Sequence, residues 1–138
     1  MRMAQGRLAV ETRGQGFYEV TADLASWLAA QNVASGLLTV YLPHSSASLL
    51  IQENAAPEVR ADLQDFLRDL APEDRRWRHD DEGPDDMPAH ARAALLPVQL
   101  SIPVAGARLQ LGTWQGVYLV EHRRQPHRRE LVLHLIGE

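Results

Sequence analysis

An α+β fold on mostly antiparallel sheet, in one compact domain, follows from three features of the chain. From residue 98 to 136 it is a succession of short apolar runs separated by brief turns, the pattern of adjacent antiparallel strands. Residues 55–70 carry one strong helical stripe. Val59, Leu63, Phe66, Leu67 and Leu70 recur at helical spacing, with Arg60, Asp62, Asp65, Arg68 and Asp69 between them. A length of 138 residues, 45% of them hydrophobic, suits a single core. Strands joined mostly by short turns, with helices inserted, describe α+β rather than regularly alternating α/β.

Taken in order, residues 7–20 read as a hairpin, with the alternating runs LAVE and FYEV flanking the Gly-rich RGQG. Thr21 is placed to cap a helix over about 22–33, with Leu24, Trp27 and Leu28 on one face. Gly36 ends that unit. Residues 37–42, LLTVYL, are apolar on both sides and predict a central strand. Pro43 stops it, and 47–52 is the return strand. The helix at 55–70 has Pro57 in its first turn, where a missing N–H is harmless, and Pro72 beyond its end. A short helix is expected from Pro88 to Leu96. Strands at 98–104, 107–112, 116–122 and 130–136 follow, with Ala105-Gly106 as a tight turn and RRQPHRR as the last turn. The expectation is therefore two main helices, a short third, and mostly antiparallel sheet.

Composition excludes several chemistries. There is no cysteine, hence no disulfide framework, thiolate zinc site or Cys nucleophile. All fourteen basic residues are Arg, so no lysine base, Schiff base or phosphate-loop lysine is present. Any anion must be held by Arg, backbone N–H groups or a metal. A net charge of −4 argues against nucleic acid as the partner. No apolar leader or membrane-length run is seen, so a cytoplasmic protein without a membrane partner is expected.

Three polar clusters interrupt the apolar runs. Residues 79–90, HDDEGPDDMPAH, crowd five acids, two His and two Pro into twelve positions. Such a segment builds no core, and loops of this kind carry function. His79 and His90 bracket it, and two imidazoles with a carboxylate form a common metal set. His44, just after Pro43 at a strand end, can supply a third imidazole or serve as a general base. Asp80 follows His79 directly. The acids of the loop serve equally as solvated charge, and Asp86 as a cap for the helix near Pro88. Ser46 and Ser48 offer hydroxyls in the turn after His44. Glu53 lies before the long helix and suits a site acid or base, whereas capping alone accounts for Asn54. Thr113, Trp114 and Gln115 form a turn that can stack on a heteroaromatic ring and bond its edge, or pack against another subunit. Glu121 ends the strand after it. Arg124, with Arg123, Arg128 and Arg129, can fork onto a diphosphate. His134, alternating with Val132 and Ile136, reads as a satisfied core histidine.

PHSSASLLIQEN at 43–54, RHDDEGPDDMPAH at 78–90, LGTWQGVYLVEHR at 111–123 and the terminal LIGE together resemble the YjbQ family, also called the secondary thiamine-phosphate synthase enzyme family. The likeness runs nearly end to end. HSSAS stands at 44–48 where the family usually shows HTTAS, and serine keeps the hydroxyls. The resemblance implies a homotrimer of compact α+β subunits with sites near subunit interfaces. It also implies a weak coupling of hydroxymethylpyrimidine diphosphate to thiazole phosphate, so the partner is a small phosphorylated heteroaromatic molecule. On that reading His44, Glu53, His79, Asp80 and His90 are catalytic. Ser46, Ser48, Asn54, Thr113, Trp114, Gln115, Glu121 and Arg124 bind substrate. His44, His79 and His90 hold a divalent metal, zinc if the imidazoles decide and magnesium if the phosphates do. Two other readings stay open: a non-catalytic metal- or small-ligand-binding homotrimer, and a metal-dependent hydrolase.

Overall fold

Alternating apolar residues along eight strands divide the chain between two antiparallel sheets. The computed structural model describes residues 1–138. In order, the elements are β1 (Arg2–Thr12), β2 (Gly16–Glu19), α1 (Thr21–Ala29), β3 (Gly36–Tyr41), β4 (Ala47–Glu53), α2 (Pro57–Leu70), α3 (Asp86–Leu95), β5 (Gln99–Ala105), β6 (Arg108–Leu109), β7 (Gln115–Glu121) and β8 (His127–Gly137). One sheet has the order β1-β8-β3-β5-β6, the other β2-β7-β4. The fold is α+β, as the strand spacing predicts.

The core fills the space between the sheets. Leu38 and Val40 of β3, Leu131, Leu133 and Leu135 of β8, Leu49 of β4, and Val117 and Leu119 of β7 meet Leu24 and Leu28 of α1 there. Alternation turns Tyr118 and Val120 to the other face of β7, where they pack with Leu67 of α2. Strand β7 is thus covered on both faces, and Gly116 to Glu121 are all buried. Two glycines at the open end of the large sheet are set by close approach. A Cβ on Gly36 would lie 2.2 Å from the Ile136 carbonyl oxygen, and one on Gly137 would lie 2.1 Å from that of Ser35.

Several sequence expectations change. The segment 7–20 is not a hairpin, because β1 pairs with β8 and β2 with β7, in different sheets. The bend between them, Arg13 to Gln15, carries the chain from one sheet to the other. Gly14 takes φ 121 there, a region costly for side chains, and the Tyr18 hydroxyl accepts from the Arg13 N–H and donates to the Gly14 carbonyl. Thr21 does not cap α1. Its hydroxyl accepts the Val117 N–H and donates to Glu19, tying the helix start to β7. The β5–β6 turn falls on Gly106-Ala107, both at positive φ near 60, as a two-residue hairpin turn requires. Strand β3 is central, but its outward side chains are uncovered: Leu37 is 39% and Tyr41 46% exposed. His134 shares that outward face and meets the Gln5 amide of β1; it is satisfied, but not in the core.

A buried polar network joins the sheets at one end. Glu121, at the end of β7, pairs with Arg129 of β8 at 2.5 Å, and Thr12 of β1 donates to its carboxylate at 2.7 Å. Arg129 also donates to the hydroxyl and carbonyl of Ser46. Burial pushes the Glu121 carboxyl up, but the bonds from Arg129 and Thr12 outweigh it and hold it below the usual range. Next to it, His122 is 1% exposed and bonds the buried Ser48 hydroxyl through Nε2 at 2.9 Å. Burial, then the charge of Arg92, lowers its pKa from 6.5 to about 4.

Two stability predictions follow from this network. Arg129→Met leaves the Glu121 carboxylate buried without its partner. It should cost roughly 3–5 kcal/mol in urea unfolding at neutral pH. His122 is a base whose folded pKa is depressed. Between pH 6.5 and about 4 the unfolded chain gains a proton that the folded chain refuses. Stability should therefore fall as pH drops through that window, by on the order of 3 kcal/mol. His122→Gln, which can still bond Ser48, should flatten that slope; an unchanged slope would place the acid sensitivity elsewhere.

Candidate functional site

Residues 84–90 begin as loop and end as helix, and this change of backbone assembles the first cluster. Asp86 and His90 lie at i and i+4 on α3, so both project from one face. Asp86 is 3% exposed. One carboxylate oxygen accepts from Arg123 at 2.6 Å. The other lies 2.9 Å from His79 Nε2 and 3.3 Å from His90 Nε2. His79 reaches it from the loop before α3, where it also meets Glu82 at 2.9 Å and Asp81 at 3.5 Å. The donor atoms of His79, Asp86 and His90 all lie within 4.8 Å of one another, and those of His79, Asp81 and Glu82 form a second, exposed group.

Hydrogen bonding defines the state of His90. Its Nδ1 is 2.8 Å from the Ser45 carbonyl, which only accepts, so Nδ1 carries the proton. A neutral His90 then turns the Nε2 lone pair toward the Asp86 carboxylate. Two lone pairs facing each other at 3.3 Å need a shared proton or cation between them. A backbone carbonyl on the remote nitrogen is also the usual support of a metal-ligating histidine. At His79, hydrogen bonds with Glu82 and then Asp86 raise the pKa above 6.5.

Arg123 fixes the carboxylates. Its guanidinium donates to Asp85, Asp86 and the Glu82 carbonyl. Burial would raise the Asp85 carboxyl, but the Arg124 N–H and the Arg123 guanidinium outweigh it and lower its pKa. Beside the cluster is a cleft of about 370 Å³, with Trp77, His79, Asp80 and Met87 in its wall. The Arg75 guanidinium stacks 4.8 Å from the Trp77 ring centre.

The other residues singled out by the sequence divide into two groups. His44 is not gathered with His79 and His90. Its Nε2 accepts the Glu130 N–H at 3.1 Å, and burial followed by the Arg129 charge lowers its pKa. It is half-buried beside the buried network of Glu121, Arg129 and Ser46, whereas Ser48 is fully buried against His122. Asp80 is exposed beside the cleft. Arg124 pairs with Glu73 and gives its backbone N–H to Asp85.

Glu53, Asn54, Thr113, Trp114 and Gln115 lie at the opposite end of the small sheet. Ala47 is opposite Glu121 and Glu53 is opposite Gln115, which separates the two ends by about 20 Å at ordinary strand rise. No side chain caps α2 there; both Glu53 carboxylate oxygens accept the Ala56 N–H and close the turn that leads into the helix. Asn54 donates from its side chain to the Gln115 carbonyl and from its backbone to that of Trp114. Trp114 is 64% exposed at the tip. Asp86 and Arg123 are the central residues that reading by type undervalued. The i,i+4 spacing of Asp86 and His90 was the available signal for the first.

The family model described as UPF0047 protein YjbQ-like matches residues 6–138. A UPF0047 protein of Synechocystis is 48% identical over 138 residues, covering 99% of this chain and 94% of its own length. UPF0047 protein YjbQ of Salmonella typhimurium is 40% identical over 135 residues, covering 97% of this chain and 98% of its own. Among solved structures, a conserved hypothetical protein from Thermus thermophilus has TM-score 0.85 at 34% identity, with 95% and 99% of the two chains covered. A YbjQ-like protein of unknown function from Sulfolobus solfataricus shares the fold, with TM-score 0.88 at 19% identity and 99% and 100% coverage. A matched family pattern over nearly the whole chain, relatives of the same length and the same fold in the solved structures agree: the chain belongs to the YjbQ-like UPF0047 family.

Proposed function

We propose that His79, Asp86 and His90 hold a divalent cation and that the protein is a metal-dependent enzyme acting on small phosphorylated heteroaromatic molecules. The observation that carries this reading is the convergence of three donor atoms, His79 Nε2, Asp86 Oδ2 and His90 Nε2, all within 4.8 Å of one another. The resemblance to secondary thiamine-phosphate synthases supplies the reaction. The bond from the pyrimidine methylene to diphosphate breaks, diphosphate leaves with the electron pair, and the thiazole nitrogen forms the new C–N bond as a thiazolium. A bound cation supplies positive charge for the departing diphosphate. Arg75 and Arg76 add fixed charge at the cleft, and the Trp77 side chain gives an aromatic wall for the rings.

A hydrolase reading has one observation of its own. Two histidines and one carboxylate leave coordination positions open, the pattern of catalytic rather than structural zinc sites. Both readings share the metal. Metal analysis after zinc or magnesium loading should find about one ion per wild-type chain at this site and a loss in His79→Ala and His90→Ala. Arg123→Gln should weaken affinity by roughly 10–100-fold through Asp86. Equal metal in wild type and both histidine variants removes the assignment. Phosphate release from the pyrimidine diphosphate alone, faster than coupling, favours the hydrolase.

The resemblance also implies a homotrimer, and exposed Leu37 and Tyr41 on the large sheet offer apolar area for it. The same resemblance implies sites near subunit interfaces. Light scattering should give three chains at micromolar concentration; a monomer removes the idea. Glu53→Gln should leave the trimer intact and lower coupling at least ~100-fold. Wild-type turnover in an intact Glu53→Gln trimer would confine Glu53 to closing the turn before α2.

A further inference from the structure

Arg92 stands two residues beyond His90 on α3, a helical offset that points it to a different face. It is 2% exposed. Its one hydrogen bond goes from Nη2 to the Ala71 carbonyl at the end of α2, 3.0 Å away. Its Nε is buried with no partner, and no carboxylate lies within salt-bridge distance of it. A guanidinium taken out of water without a counter-ion is costly, and folded proteins keep one only where something compensates it. Burial, first, and then the positive charges of Arg68 and Arg124 lower its pKa, against the opposing charges of Glu73 and Asp85.

The same side chain lines a second cleft, of about 310 Å³, with Arg68, Arg124, Glu73, Asp74 and Pro72. The two other arginines are already paired at the surface, Arg68 with Asp65 at 3.0 Å and Arg124 with Glu73. The buried cation is the one left without an anion. Glu73 also lines the cleft beside His79, so the two clefts share a wall.

We propose that this second cleft is an oxyanion site that takes a phosphate or phosphoryl group, with Arg92 as its buried anchor. Arg124 turns from Glu73 to the incoming oxygens, and Arg68 closes the outer side. Guanidinium groups bind such oxygens in forked pairs. The site does not require the metal, so its test is run without one.

Inorganic phosphate and pyrophosphate are titrated calorimetrically into the full-length protein in EDTA at low ionic strength. Wild type should bind, and its Tm should rise with anion concentration. Arg92→Met replaces an unpaired buried charge by an apolar chain of similar length. It should keep or raise Tm in anion-free buffer and weaken binding at least about 10-fold. Arg124→Gln, an exposed change, should also weaken binding with the fold unaltered, and it decides the matter if Arg92→Met does not fold. Tighter pyrophosphate than phosphate identifies a diphosphate-bearing substrate as the source; equal affinity identifies free phosphate, and either supports the site. No binding by wild type at about 10 mM anion, or affinity unchanged in Arg124→Gln and in folded Arg92→Met, overturns it.

Discussion

The Glu121–Arg129 ion pair is the contact on which the rest depends. Glu121 ends β7 in the small sheet and Arg129 lies near the start of β8 in the large one, so this pair bridges the two layers. Both side chains are buried, and neither tolerates loss of the other without leaving a charge stranded in the core. Thr12 adds the end of β1, and Ser46 adds the segment that leads into β4. Four separate stretches of chain are thereby brought to one end of the molecule. Beside it, His44 accepts the Glu130 N–H and the buried Ser48 hydroxyl bonds His122.

The site is built on that end. The turn after Glu121 presents Arg123, whose guanidinium clamps Asp85 and Asp86 and the Glu82 carbonyl. Ser45, next to Ser46, supplies the carbonyl that sets the His90 tautomer. The histidine cluster is therefore oriented by groups that themselves sit next to the interlayer pair. The loop from His79 to Glu82 stays exposed, so access from solvent is retained on the side of the Trp77 cleft.

Much of this was legible from residue patterns. Periodicity located α2, the start of α1 and every strand of the second half, because a stripe at 3.6 or an alternation at 2 reports which face is buried. Helix α1, however, stops at Ala29 and is no longer than α3. The unusual density of acid and histidine at 79–90 located the cluster. Two inferences misled for physical reasons. Adjacent strands around a Gly-rich turn normally pair, but Gly14 instead carries the chain between sheets, and each strand finds its partner far away in sequence. His44 looks like a third imidazole for the cluster by type, yet its Nε2 accepts the Glu130 N–H and it is not gathered with His79 and His90.

By itself the sequence determined the class of fold, the family, and which residue types are available: imidazoles and carboxylates for a cation, and arginine alone for anions. Local spacing also held the Asp86–His90 pair, since i and i+4 share a face in any helix. Tertiary structure decided the rest, because strand pairing is non-local. It set His79 against Asp86 and Arg123 against both loop aspartates. It placed Glu53 and Trp114 at the end of the small sheet opposite Glu121, about 20 Å along the strand, and it buried Arg92 with no anion beside it. Those outcomes depend on which strands lie side by side, and no window of sequence carries that information.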